Sequence, residues 1–199
     1  MKKRSQFNSA QKRRARGFSL IELLLAVVVI VIMLAIALPS AMRAYQTYQL
    51  GSAARQVSGV VQFSRFEAIR LNMPVNCLIQ QANGSQIQIW TDSNGDGIAQ
   101  PTEKQAIFSG SVEPVSAGSV PGTGGLAAAV GVSTITAVNP ANGTITFDRR
   151  GAVRPAGFYA IYLDDAGTPS AGYQAVVLLP AGAVQVWYSD AYGNWHQTN

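Results

Sequence analysis

The chain opens with a change of pattern that sets the rest. Sixteen uninterrupted apolar residues, Leu23 to Leu38, end at Pro39. Counted from Phe18 the run is 21 residues, about 31 Å as a helix at ~1.5 Å per residue. A hydrocarbon core is roughly 30 Å thick, so the run predicts one membrane crossing. Beyond it the pattern turns amphipathic. Leu50, Ala54, Val57, Val61, Ser64, Ala68 and Leu71 recur at spacings of four and three, one face of a helix interrupted only by Ser64. Such a face suits a coiled-coil seam or the back of a sheet, and the strands that follow favour the sheet. Asn72 and Pro74 stop the helix.

Strand patterns begin at once. Val75–Gln80 and Gln86–Trp90 flank Ala82-Asn83-Gly84-Ser85, a hairpin signal. Further strands are expected at 105–108, 134–138, 144–148, 158–163, 174–179 and 184–189, from their β-branched and aromatic content. Residues 109–133, rich in Gly, Ser, Ala and Val with Glu113 as the only charge, read as a mobile loop with room for one short strand. The predicted fold class is α+β: a long N-terminal transmembrane helix laid on an antiparallel sheet.

Charge gives the anchor a direction. Lys2, Lys3, Arg4, Lys12, Arg13, Arg14 and Arg16 precede the span, with no acid among them. The positive-inside rule then puts the N-terminus in the cytoplasm and the rest outside it. A cleaved secretory signal has a shorter apolar region, about 7–15 residues, with small residues at its far end. An uncleaved signal anchor would satisfy the span alone. Glu22 separates the readings, because a carboxylate in the apolar phase costs about 2.5–3.5 kcal/mol and needs a partner. It stands one helical turn from the amino terminus that a cut after Gly17 would create.

Gly17-Phe18-Ser19-Leu20-Ile21-Glu22 resembles the processing site of type IV prepilins and type II secretion pseudopilins. The resemblance implies that a prepilin peptidase cuts between Gly17 and Phe18, that Phe18 is N-methylated, and that Glu22 aligns each incoming subunit with its neighbour. It extends to Pro39, where helices of that family commonly kink. The stretch from Gly51 to Val75, with Arg65-Phe66-Glu67-Ala68 closing the helix, is similar to the GspH/FimT family of minor pseudopilins and minor pilins. Ile145 to Gly151 is similar to a later hairpin of that family. The expected organisation is a basic leader over 1–17, a long helix over 18–73 (18–38 transmembrane) and an exported β-rich domain over 74–199. The implied role is a minor pseudopilin of a type II secretion system, in the bacterial inner membrane with its C-terminal domain periplasmic or extracellular. The implied partners are the membrane, the peptidase and other pseudopilins or minor pilins. The alternative is a minor pilin of a type IV pilus, serving pilus assembly or DNA uptake.

Composition narrows the classes. The chain is +5 overall, but seven of its fifteen basic residues lie in the leader. The mature part holds eight Lys and Arg against ten Asp and Glu, so its charge gives no support for nucleic-acid binding. Arg149, Arg150 and Arg154 are its only basic cluster, beside Asp148; a solvated turn explains them without DNA. Cys77 is the single cysteine, excluding an intrachain disulfide and suiting a buried thiol. Trp187, Tyr188, Tyr192 and Trp195 suit either an interface or core packing. His196 is the only histidine, and neither a phosphate loop nor a cluster of His ligands is present, so the sequence offers no enzyme machinery.

One motif invites chemistry. Asp92, Asn94, Asp96, Gly97 and Glu103 meet the calcium-loop pattern D-x-[DN]-x-[DN]-G-x5-E. Four side chains and the carbonyl of Ile98 would supply the oxygens, with Gly97 allowing the turn. The loop follows a strand rather than a helix, however, and Asp, Asn and Gly also favour Asx-turns between strands. No cofactor is required; calcium is the one the pattern allows.

Overall fold

The computed structural model describes residues 19–82, 86–165, 172–190 and 192–198. The leader, Gly17 and Phe18 lie outside them. The first element is a 52-residue helix, α1 (Leu20–Leu71), running through Pro39. The chain divides into two compact units between Ala41 and Met42.

In the first unit every described side chain is exposed, including the apolar series Leu20 to Leu38. A helix apolar on all sides cannot be explained by one packed face. Its composition and length suit a membrane crossing, and its apolar window has no buried residue.

In the second unit α1 is amphipathic. Leu50, Ala54, Val57, Val61, Ser64 and Ala68 are buried as the spacing predicts, joined by Ala53, Val60 and Glu67. They face two antiparallel sheets. One runs in the order β3 (Gln105–Phe108), β2 (Ile87–Asp92), β1 (Val75–Gln81), β6 (Thr144–Phe147), β7 (Val153–Arg154). The other runs β11 (Trp195–Gln197), β10 (Val184–Ser189), β9 (Tyr173–Leu178), β8 (Tyr159–Asp165), β4 (Val112–Val115), with the short β5 (Thr136–Ala137) parallel to β8. In β1 the buried residues are Val75, Cys77 and Ile79, every second position, as for a sheet with one face on the core. They join the helix face, Ile87, Ile89, Ile145, Phe147, Ile161 and Val176 in one hydrophobic core.

The second sheet is buried on both faces. Val176 and Leu178 point to that core, while Ala175 and Val177 point to a second one with Tyr162, Trp187, Trp195 and Leu126. This explains why β8 and β9 read as near-continuous apolar runs, without alternation.

The 109–133 segment corrects the expectation of a mobile loop. It holds β4, a 3₁₀ turn (Ala117–Ser119) and a second helix, α2 (Thr123–Val130). Leu126 is fully buried against the second sheet. Gly131 ends α2 in the left-handed region, its N–H donating to the carbonyls of Ala127 and Ala128. β4 carries Pro114 at the sheet edge, where a missing donor is tolerated.

Candidate functional site

Two regions drew attention in the sequence, the head of α1 and the 92–103 loop. At the first, the carbonyl of Ser19 accepts from the N–H groups of Glu22 and Leu23, opening the helix. Glu22 sits in the first turn with its side chain exposed, where the partial positive charge of the unpaired N–H groups favours a carboxylate. Its neighbours Ile21, Leu23 and Leu24 are exposed as well. A charge and an apolar rod are thus presented together, and only another molecule or a lipid phase can cover the rod.

In the 92–103 loop the expected ligands do come together, but they serve one another's backbone. Buried Asp92 accepts from the N–H of Gly95 on Oδ1 (2.7 Å) and of Gly97 on Oδ2 (3.2 Å). Glu103 accepts from Ser93 N–H on Oε1 (2.9 Å) and from Gln100 N–H on Oε2 (3.1 Å). Asp96 takes the Ile98 N–H on Oδ1, and the amides of Asn94 and Gln100 on Oδ2. The Ile98 bond is the main reason its carboxyl is held below the usual range. Asn94 accepts in turn from Asp96 N–H. Gly97 has φ +72°, the left-handed region the turn requires. All six carboxylate oxygens are engaged with loop donors. Among the described residues no three His, Cys, Asp or Glu groups are placed to hold a metal ion. In this arrangement the loop is an Asx-type turn held by its own carboxylates.

One of the three arginines in the basic cluster is ion-paired. Asp148 accepts from Ala152 N–H, which does most to keep its carboxyl below the ordinary value, and from Arg150 N–H and Arg154. Arg154 reaches it at 3.0 Å. Arg149 and Arg150 border a cavity of about 360 Å³ with Pro74.

The tail divides. Trp187 and Trp195 are buried in the second core, and the Trp195 indole N–H donates to the Gly122 carbonyl at 3.0 Å. Tyr188 and Tyr192 are exposed, the former beside the His196 ring at 5.2 Å.

Sequence reasoning also missed a buried polar contact. Ser64, the apparent flaw in the apolar face, is fully buried and meets the Thr91 hydroxyl at 2.8 Å. A Ser within an apolar stripe was the only signal, and its partner 27 residues away had none.

The family model of the prokaryotic N-terminal methylation motif matches residues 12–38. That of the type II transport protein GspH matches residues 53–182, well over half of the chain. The chain belongs to the GspH family. Its members are pilin-like structural subunits, and the methylation motif is the one at which prepilin peptidase acts. No curated protein matches. Among solved structures, the type IV minor pilin FimU of Pseudomonas aeruginosa is similar in two crystal forms, each at 16% identity. One covers 70% of this chain and 88% of that chain with a TM-score of 0.46; the other covers 69% and 91% with 0.45.

Proposed function

We propose that this chain is a minor pseudopilin of a type II protein secretion system, working by assembly and not by catalysis. It enters the inner membrane with its basic leader in the cytoplasm, is cut between Gly17 and Phe18, and is methylated on Phe18. The apolar half of α1 then packs among neighbouring subunits, and Glu22 offsets the terminal amine of one of them. The exported domain lies on the far side of the membrane and contacts other minor subunits or cargo.

The observation that carries this reading is the pairing of Glu22 with a wholly exposed apolar helix. A plain anchor has no use for a carboxylate at that depth. A staggered stack of identical helices does, because each Glu22 then meets an amine and the cost of desolvating both is offset. The lean toward secretion over a type IV pilus rests on the tail: 188–198 contains no Arg or Lys, and Trp187 and Trp195 are packed inward. The 92–103 loop enters this reading as a self-capped turn.

In-cell photo-crosslinking from position 66, where Phe66 is exposed, with partners identified by mass spectrometry, tests it. Secretion pseudopilins are the expected partners. Recovery of pilins instead would assign the chain to a pilus. The Glu22→Ala variant should lose these crosslinks while its exported domain stays folded.

A further inference from the structure

Just beyond the apolar run, the exported unit carries an open groove of about 340 Å³ between α1 and the β3–β4 turn. Tyr45, Tyr48 and Gln49 form one wall, and Ile107, Phe108 and Gly110 the other. Three of these side chains are more exposed than their chemistry favours: Tyr45 at 62%, Tyr48 at 67% and Ile107 at 50%. We infer that this groove is a membrane-docking surface, seating the exported domain on the interfacial layer of the same bilayer that holds the anchor.

Three observations point to lipid. The first is reach. Tyr45 follows Leu38 by seven residues, so even a fully extended chain keeps it within about 25 Å of the end of the apolar run. The second is side-chain type. Tyr is enriched at membrane–water interfaces because its ring is apolar and its hydroxyl stays wet, and Ile107 adds apolar area on the facing wall. The third is charge. No acid lines the groove, and Arg43 stands two residues before Tyr45. Anionic lipid headgroups therefore meet no like charge on the groove walls.

The opposite end of the same sheet gives an internal reference. Ile87 in β2 pairs with Phe108 at the groove, whereas Thr91, farther along β2, meets Ser64. The 93–104 loop therefore lies away from the groove, and its Ile98 is exposed.

The inference rests on the anchor part of the proposed function, and one experiment separates the two. The full chain, carrying a fluorophore on Ile30→Cys, Ile107→Cys or Ile98→Cys, is placed in vesicles of phosphatidylethanolamine and phosphatidylglycerol. Quenching by lipids spin-labelled on the acyl chain or on the headgroup is then read. Cys77 is buried and its thiol is pushed up to about 12 by desolvation, so it stays unlabelled. Expected are acyl-chain quenching at 30, and headgroup quenching at 107 roughly twofold or more above that at 98. Quenching at 30 with equal values at 107 and 98 overturns the docking surface and leaves the anchor standing. Loss of quenching at 30 removes the anchor and the docking surface with it. Quenching at 107 by an added spin-labelled copy of the chain, but not by lipid, overturns the inference and gives the groove to a neighbouring subunit.

Discussion

The Ser64 hydroxyl on the long helix and the Thr91 hydroxyl on β2 lie 2.8 Å apart in a site with no solvent access. Ser64 also bonds to the Val60 carbonyl at 3.0 Å, so the pair ties the helix to the first hairpin at a fixed register. Cys77 adjoins them: its thiol is raised mainly by burial, with a hydrogen bond to Ser64 acting in the opposite sense.

Ser64→Ala should destabilise the exported domain by about 1–3 kcal/mol, because Thr91 is left buried without its side-chain partner. Thr91→Val alone should cost a similar amount. The double variant should cost clearly less than the two together, since both polar groups are then gone. Thermal denaturation of the four proteins measures the coupling; simple additivity would show the pair to be incidental.

The acidic loop should behave as a turn held by its own carboxylates. Asp92→Ala removes two N–H acceptors from a buried position and should cost roughly 1–3 kcal/mol. Calcium and a chelator should leave the melting temperature unchanged. A rise in melting temperature on adding calcium, abolished in Glu103→Gln, would mean that the loop rearranges around the ion.

Acid should loosen the β10–β11 turn. Asp190 is lowered from 3.8 to about 2, chiefly by the Asn194 side-chain amide, with the Asn194 and Tyr192 N–H groups and His196 adding to it. A carboxyl lowered on folding contributes stability that is complete above its unfolded value. That contribution is lost as pH falls from near 3.8 through about 2. Hydrogen exchange at Asn194 should therefore quicken over this window in the native chain. In Asp190→Asn the window should vanish.

The long helix was legible because two strong periodicities follow one another, a solid apolar run and then a four-three face. β3 and β10 fall on the expected residues because Ile107-Phe108 and Val184 to Tyr188 supply the β-branched and aromatic content of a strand. α2 was not legible. In Thr123–Val130 only Leu126 is a large apolar residue before the terminal Val130, the rest being Gly, Ala and Thr. Its helicity depends on seating Leu126 against the second sheet, a tertiary effect with no local pattern. β7 and β11, at two and three residues, are too short to show alternation, and neighbouring strands hold them in place. At the candidate site the sequence singled out loop acids that the structure brings together. It could not say that their oxygens turn toward the backbone, since the same Asp, Asn and Gly spacing serves both uses.

The central claim is that the chain is processed and then assembled through α1. Intact-mass and N-terminal peptide analysis of the protein extracted from its native membrane tests it most directly. The account predicts a chain beginning at Phe18 with one added methyl group on its α-amine. A chain retaining its leader, or one cut beyond Leu38 as a secretory signal would be, would contradict it.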